Sequence, residues 1–516
     1  MWMLAASFLA LSVQTPAGTV ALTPYPPKPQ VVITFDVEDY ITPESEGIDG
    51  IPKWLAEILS EEGLSGTFFV IGEKARSLEQ RGRVDVIGAM AAHEIGSHTN
   101  YGSIHPTVME ELEEAGWQDG VRRMWEQESA GIADLERIFE VPVTILGRHG
   151  GCYGPQLVAA LGRMNVSYEG SPISLPGRDV VWFANALNFS AEYTFDEDSY
   201  HRDDLFTPAL ENLKAELPGL LRSSQVVSLF AGHPTKIRAE EFWDFNYYYG
   251  ANPTPEEWIA PLLRPAETMI TAQENFRRLV KYLKSRSDIE VTTYRAVAPL
   301  YSHQKENMTR EDLLDVVAAN ERNGGLIYTE DFSPAEAFAG LATAISGYGR
   351  KGAVPEKIVT QHPLGPRVMP RVQPEAARAT WAEVLGLARQ AELFIWVNRC
   401  LPASLKTASG EIGTGSLFAL FCEVYGDLAS GSPRAEYEIR SFDAYPRTND
   451  KKIAQRIQEF RGWPVHRLYL DDSRIVEFTR LQLWTLKPAH RLEAGGATRT
   501  VNGETLAVSL APAEPR

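Results

Sequence analysis

The chain has 516 residues, a length that exceeds one compact domain and favours two or three domains. Its 44% apolar and 23% charged residues are typical of a well-packed globular protein and exclude a disordered chain. The net charge of −18 argues against a nucleic-acid partner, because binding to phosphates needs a basic surface.

The chain begins with a short apolar stretch, Met1–Val13, that is followed by small residues up to Ala21. The stretch is too short to span a bilayer and is typical of a signal-peptide core, although no Lys or Arg precedes it. We therefore predict that residues 1–28 are a signal peptide with a proline-rich lead-in, and that the protein is exported to the periplasm, cell surface or medium. An ordinary packed N-terminal segment is the alternative. No other segment predicts a transmembrane helix, and three cysteines form no disulfide framework.

Strand-like and helical patterns alternate over residues 29–305. The strand-like runs are Val31–Phe35, Gly66–Ile71, Val141–Leu146, Val180–Phe183, Val226–Ala231 and Glu290–Thr293. The amphipathic stretches between them include Pro52–Glu62, Val108–Phe139 and Ala266–Ser285. Such alternation predicts an α/β domain with a largely parallel sheet, either open or closed into a barrel.

Three carboxylates, Asp36, Glu38 and Asp39, follow the first predicted strand. This is the end of a strand at which parallel sheets place their chemistry. Two imidazoles, His98 and His105, lie downstream. A carboxylate and two imidazoles around an open position form the ligand set of a hydrolytic metal site. Because side chains alternate along a strand, Asp36 and Glu38 should share one face and Asp39 should occupy the other.

Helical patterns dominate beyond residue 305. They cover Thr309–Asn320, Ser333–Ser346, Pro374–Ala391 and Ser416–Leu428. We predict a smaller, mostly α-helical domain over residues 306–492 and a loose tail over 493–516. Ser333 should cap its helix within a capping box. A diverged twofold repeat aligns Phe338 with Phe418, with chance similarity between short capped helices as the alternative.

Five short segments occur in the order of the motifs of a known family. They are Thr34-Phe35-Asp36, His93–His98 running on to His105-Pro106, Gly147–Tyr153, Asp179–Trp182, and Leu229–His233. Together they resemble the motifs of NodB-type polysaccharide deacetylases, carbohydrate esterase family 4, over roughly half of the chain. One such match is weak, whereas five in order are a strong signal. The family fold is a distorted (β/α) barrel, which agrees with the alternating pattern.

The resemblance implies a metal-dependent hydrolase that removes N- or O-acetyl groups from a glycan or cell-wall polysaccharide. Asp36 would act as general base and be held by Arg148. His233 would act as general acid and be oriented by Asp179.

The resemblance also implies the remaining members of the site. The expected ligands of a divalent ion, with Zn²⁺ as the preferred ion, are His98, His105 and either Glu38 or Asp39. Trp182 would wall the acetyl pocket, and a backbone N–H near Tyr153 would help to bind the oxyanion.

The sequence differs from the family pattern at several of these positions. Val37 separates the base from its neighbouring carboxylate, and Gly102 occupies the position of the family's second histidine, so that His105 is the natural substitute. Gly150 replaces a proline, and nothing assigns a role to His149. These differences leave two alternatives open. One is a catalytically altered scaffold whose helical region binds a cell-surface glycan, and the other is a hydrolase of a small non-peptide amide.

An aromatic run at residues 242–249 permits two interpretations. Exposed rings there could stack on sugar faces, or the run could be a packed loop that seals the barrel against the helical region. We expect the helical region to be separable, so that deletion of the residues after about 305 leaves acetate release from a soluble oligomer largely intact. A collapse of activity would instead mean that the region completes the active site or the core of the barrel.

Overall fold

The computed structural model describes residues 28–323, 326, 328–370, 377–407, 410–447, 449–492, 498–501 and 504–507. The predicted signal peptide lies outside these residues except for Lys28, as does most of the predicted C-terminal tail. Among the described residues, no helix combines the length and the apolar character that crossing a membrane requires.

The first part of the chain forms one curled, mainly parallel sheet. Its strands are β1 (Gln30–Val37), β2 (Thr67–Val70), β3 (Glu94–Ser97), β4 (Ile145–Gly147), β5 (Ser167–Glu169), β6 (Val180–Phe183), β7 (Ala186–Phe189), β8 (Glu192–Thr194), β9 (Val226–Gly232) and β10 (Glu290–Thr292). They lie in the order β6-β7-β5-β4-β3-β2-β1-β9-β8, and β10 also pairs with β1. The α/β fold class with a distorted, incomplete barrel is thereby confirmed.

Helices surround this sheet. They are α1 (Ile51–Glu61), α2 (Gly72–Gln80), α3 (Val84–Ala91), α4 (Val108–Leu112), α5 (Trp117–Phe139), α6 (Pro155–Met164), α7 (Asp203–Ser223), α8 (Pro234–Arg238), α9 (Thr268–Ser285) and α10 (Tyr294–Tyr301). The single helical stretch predicted over residues 108–139 is thus two helices, because the chain bends at Glu113 and Glu114 and is not helical again until Trp117.

The central strand β1 is buried on both faces, as a parallel strand between two layers must be. Ile33 and Phe35 point into the core beneath the helices, whereas Val32 packs in the barrel interior. Because side chains alternate, the interior face continues from Val32 to Asp36. The sequence of β1 therefore directs this carboxylate into the barrel.

The second part of the chain is built around four helices with a core of their own. They are α11 (Arg310–Asn323), α12 (Pro334–Lys351), α13 (Trp381–Asn398) and α14 (Thr414–Ala429). Two-stranded ladders join β11 (Asn307–Thr309) to β12 (Lys357–Val359), β13 (Ala377–Thr380) to β16 (Glu436–Ile439), and β14 (Ser404–Thr407) to β15 (Gly410–Gly413). The capping box of Ser333 is confirmed. Phe338 and Phe418, the aligned pair, both face Trp484, at centroid distances of 6.3 and 5.8 Å.

The chain then returns to the barrel. The returning elements are α15 (Asp450–Arg461), α16 (Ser473–Gln482) and β17 (Lys487–Pro488), which pairs with β6; a last hairpin joins β18 (Thr498–Val501) to β19 (Glu504–Ala507). Ile457, Phe460 and Ile475 belong to the same core cluster as β1. Residues 449–488 therefore complete the barrel, which disagrees with the expectation that everything after residue 305 is separable.

The three cysteines are buried free thiols in different surroundings. Cys152 and Cys400 belong to the barrel core, and Cys422 belongs to the helical core. Packing rather than cross-linking therefore holds the described part of the chain together.

Candidate metal centre and active site

A pocket of about 430 Å³ opens at the carboxyl ends of the parallel strands. Its floor is formed by Thr34, Asp36 and Glu38 at the end of β1, and its sides include residues that follow β4, β5 and β9. This is the location at which a parallel α/β sheet presents catalytic side chains.

Three side chains converge on one point at the base of this pocket. Glu38 Oε1 lies 3.0 Å from Nε2 of His98 and 3.1 Å from Nδ1 of His149. All three residues are at most 3% exposed. Two ligand atoms of a tetrahedral Zn²⁺ are about 3.3 Å apart, given metal–ligand distances of about 2.0–2.1 Å, so the spacing fits a divalent ion.

The outer atoms of the two imidazoles are held by hydrogen bonds that point the inner atoms at Glu38. Nδ1 of His98 donates to the Gly147 carbonyl at 3.1 Å, since a carbonyl can only accept. Nε2 of His149 lies 2.9 Å from Oγ of Ser103, which in turn donates to Asp244 at 3.4 Å. Such outer partners fix the tautomer and orientation of metal-binding histidines.

The second oxygen of Glu38 is also engaged. Trp243 Nε1 donates to Oε2 at 2.9 Å, which leaves Oε1 facing the two imidazoles. The buried indole therefore orients the carboxylate in the same way that Gly147 and Ser103 orient the imidazoles.

The ionisation of these groups suits a cation. Burial lowers the pKa of His98 to about 4, which keeps its imidazole neutral. Burial alone would raise the pKa of Glu38, but its interactions with His149 and His233 hold that pKa well below its usual range. A neutral imidazole and an ionised carboxylate are the forms in which these side chains bind metals.

A carboxylate and a further imidazole stand beside this cluster. Asp36 Oδ2 lies 3.4 Å from Nε2 of His98 and 3.7 Å from Nε2 of His233. Burial raises the pKa of Asp36 well above its usual range, and the charge of His233 opposes that rise. An acid with a raised pKa beside an imidazole is typical of proton-transfer sites.

Glu197 orients the imidazole of His233. Its Oε2 accepts from Nδ1 of His233 at 2.8 Å, so Nε2 faces the pocket. Burial alone would lower the pKa of His233, but the charge of Glu197 raises it to about 10. Gly232 permits this contact, since its φ is +121° and a Cβ there would lie 2.6 Å from Cβ of Glu197.

Two of the predicted ligands do not reach the cluster. The Asp39 carboxylate accepts from the hydroxyls of Thr42 and Thr235, at 2.7 and 2.9 Å, and holds the turn after β1. Both nitrogens of His105 are occupied, one by Glu110 at 2.7 Å and the other by the carbonyl of Tyr247 at 2.7 Å. The structure therefore corrects the predicted set, and a histidine from the end of β4 stands where His105 was expected.

Asp179 lies at the wrong end of the barrel to orient His233. Its carboxylate accepts from the backbone N–H groups of Gln225 and Val226, where β9 begins, whereas His233 follows the last residue of β9. Seven residues of strand separate the two ends by roughly 23 Å. Glu197 makes the contact that the sequence assigned to Asp179.

Two predicted substrate contacts are core residues. Trp182 lies within β6, where it is partly buried and packs against the cluster that contains Val32 and Phe189. Tyr153 is fully buried, with its hydroxyl 3.4 Å from Oγ1 of Thr479. In the described part of the chain, neither residue lines the pocket. The segment before Tyr153 does so at Arg148, His149 and Gly150, so the backbone N–H expected near Tyr153 stays a prediction.

Arg148 does line the pocket, but it has a different partner from the predicted one. Its Nε donates to the Gly170 carbonyl at 3.0 Å, and its guanidinium lies over the ring of Phe460 at 4.2 Å. Among the described residues, no hydrogen bond or ion pair joins it to Asp36. The ring supplied by α15 therefore holds the guanidinium away from the expected carboxylate.

Comparison with known proteins gives similarity at the level of structure. No family model matches the sequence, and neither does any curated protein. Similar solved structures include a probable polysaccharide deacetylase from Pseudomonas aeruginosa PAO1, which is 11% identical, covers 52% of this chain and 89% of that chain, and has a TM-score of 0.35. Puue allantoinase is another; it is 13% identical, covers 53% of this chain and 91% of that chain, and has a TM-score of 0.34. A third is a mutant of BA3943, a CE4 family pseudoenzyme, which is 14% identical, covers 53% of this chain and 68% of that chain, and has a TM-score of 0.30. At these identities and TM-scores the matches concern the fold alone, so the chemistry has to be inferred from the pocket's own side chains.

Proposed function

We propose that the protein is a metal-dependent hydrolase that removes N- or O-acetyl groups from a glycan. One observation carries this proposal: Glu38 Oε1 lies within 3.1 Å of an imidazole nitrogen of both His98 and His149, and all three ligand atoms lie within 4.8 Å of one another, beside a carboxylate and an imidazole suited to proton transfer. The order of the sequence motifs supports the choice of acetyl groups. The proposed ion is Zn²⁺, since one carboxylate and two imidazoles with an open position are its usual catalytic ligand set.

The ion, when bound by Glu38, His98 and His149, would lower the pKa of a water molecule and polarise the scissile carbonyl. Asp36 would take the proton from the attacking water. His233 would give a proton to the leaving amine or alkoxide, with Glu197 keeping its Nε2 pointed into the pocket. The pocket shields these transfers because Asp36 and His233 are largely buried in it.

A second candidate is the hydrolysis of a small non-peptide amide. The size of the pocket favours it, since about 430 Å³ lies near the lower end of the range for small-molecule sites. The same residues would perform the chemistry, and only the substrate would differ. Export of the protein rests on the apolar stretch at residues 1–13 and stays a prediction.

Removal of the metal tests the proposal directly. Purified protein should contain about one equivalent of zinc, and chelation should abolish acetate release from acetylated chitin oligomers, xylan or peptidoglycan, with recovery on adding Zn²⁺. Elemental analysis and an acetate assay provide the measurements. Stoichiometric zinc without acetate release from any of the three would contradict the deacetylase proposal and favour the small-amide reaction or a scaffold. Activity that survives complete removal of metal would contradict the mechanism.

A further inference from the structure

One wall of the pocket comes from the far end of the chain. We call residues 456–467 the strap and residues 242–250 the aromatic loop. The strap residues that line the pocket are Arg456, Glu459, Phe460, Trp463, Pro464 and Val465. A segment that follows the whole helical region thus forms part of the cavity above the catalytic residues.

The strap is fixed in place by its neighbours. The backbone N–H of Tyr249 in the aromatic loop donates to the carbonyl of Pro464 at 2.8 Å. His466 Nδ1 lies 2.9 Å from Oγ1 of Thr107, and His105 binds the carbonyl of Tyr247 in the aromatic loop. The loop that carries His105, the aromatic loop and the strap therefore form one joined rim, and His105 is a positioning residue within it.

Among the described residues, the exposed part of the pocket lining is confined to two segments. The exposed residues of the lining are Glu192, Thr194, Arg456, Glu459 and Trp463. These residues belong to β8 and to the strap, which indicates an opening between those two segments, whereas the hydrogen bond from Tyr249 to Pro464 joins the strap to the aromatic loop. A polymer that is bound through an internal unit must leave the pocket in two directions. The opening between β8 and the strap suits a chain that leaves the pocket in one direction.

The walls carry groups that suit a single sugar ring. Trp463 is 46% exposed and lies at this opening beside the guanidinium of Arg148, 5.8 Å from its ring centroid. Nη1 of Arg148 is buried, and among the described residues it has no hydrogen-bond partner, so it can donate to an oxygen of a ligand. Glu169, 8% exposed, stands in the lining as an acceptor for ligand hydroxyl or amino groups. An indole that can stack on an apolar ring face completes a ring-sized site.

We propose that the pocket accepts one terminal unit of a glycan, not an internal unit, and that Trp463 determines this specificity. This inference rests on the proposed function, because the reaction is the proposed removal of acetyl groups. The selectivity for a terminal unit rests on the shape of the rim. The observations that support it are the volume of about 430 Å³, the confinement of the exposed lining residues to β8 and the strap, and the half-exposed indole that shares the lining with Glu169 and Nη1 of Arg148.

The test uses the zinc-loaded full chain and a fully N-acetylated chitin hexamer, with the products sequenced by mass spectrometry. We expect acetyl loss at one end only. Trp463→Ala should raise the ratio of internal to terminal loss by roughly 10-fold or more, a change of the size that one pocket contact produces. Trp125→Ala is the matched control, since Trp125 on α5 is 45% exposed and lies outside the pocket lining; it should leave the pattern unchanged. Random internal loss by the unaltered protein, or an unchanged pattern in Trp463→Ala, would overturn the inference.

A measurement of sugar binding tests the inference even if the protein releases no acetate. Calorimetry with N-acetylglucosamine and its hexamer should give dissociation constants within about threefold of each other, because only one ring is held. Hexamer binding that is tighter by more than about threefold, or no binding of either sugar, would overturn the inference. Equal binding without any acetate release would instead support it and overturn only the proposed reaction.

Discussion

Replacement of Asp36 by asparagine is expected to lower kcat by about 100- to 10,000-fold while the zinc content stays at one equivalent. The asparagine amide has nearly the same shape as the carboxylate but cannot accept the proton of the attacking water. Asp36 is not one of the three converging side chains, so the ligand atoms of Glu38, His98 and His149 should stay in place. Steady-state kinetics and elemental analysis of the same preparation measure both effects.

Asp179→Asn is the matched control for this variant. The sequence motifs placed Asp179 in the catalytic machinery, whereas in the structure its carboxylate accepts from the backbone where β9 begins. Its substitution should therefore leave kcat per folded molecule unchanged, even if the protein loses some stability. A large fall in kcat for Asp179→Asn, or near-normal turnover by Asp36→Asn, would contradict the assignment of the base.

Replacement of His149 by alanine is expected to reduce zinc affinity by more than about 100-fold. Loss of an outer-shell partner alone costs about 10- to 100-fold, and loss of a direct ligand should exceed that. His149 supplies one of three atoms that converge on a single point, and its removal leaves Glu38 and His98 as the remaining pair. Competition with a chromophoric zinc chelator gives the affinity.

His105→Gln is the control that separates the structural assignment from the sequence motif. The glutamine amide can still donate to the carbonyl of Tyr247, so the rim should keep much of its shape. We expect this variant to keep one equivalent of zinc with an affinity close to that of the unaltered protein. The opposite pattern, with zinc lost in His105→Gln and kept in His149→Ala, would show that the structure places the wrong histidine at the centre.

The fold and part of the candidate active site, namely Asp36, Glu38, His98 and His233, follow from local sequence patterns. β1 has β-branched and aromatic residues on both faces, which predicts a buried parallel strand, and its alternation correctly places Asp36 and Glu38 together and Asp39 apart. His98 and His233 follow strands that end at the same edge of the sheet, and both reach the pocket cluster. Each of these positions depends on the chain within a few residues.

The remaining members depend on contacts between distant segments. His105 is the residue type that a metal site needs, but its two ring nitrogens already have partners. One nitrogen binds Glu110, five residues away, and the other binds the carbonyl of Tyr247, 142 residues away. The second contact has no signature in the local sequence. His149 had one available signal, its place directly after Arg148, yet no spacing rule connects it to His98. It approaches His98 because β3 and β4 are neighbours in the sheet.

The sequence also did not predict that Glu197 orients His233 or that the strap lines the pocket, because both depend on contacts between distant segments. Glu197 lies in a short turn of acidic residues without periodicity, and its contact needs the close approach at Gly232. The helices α15 and α16 have apolar faces, but a hydrophobic face does not tell which core it joins. Their return to the barrel therefore changed the expected role of the C-terminal part from an appended module to a wall of the pocket.

The central claim is that Glu38, His98 and His149 hold one metal ion. Anomalous diffraction at the zinc absorption edge, from crystals of the zinc-loaded protein, tests it most directly. We predict one strong peak whose nearest protein atoms are Glu38 Oε1, His98 Nε2 and His149 Nδ1, each at about 2.0–2.2 Å. A peak beside His105, or no peak between these three atoms in crystals that contain stoichiometric zinc, would contradict the claim.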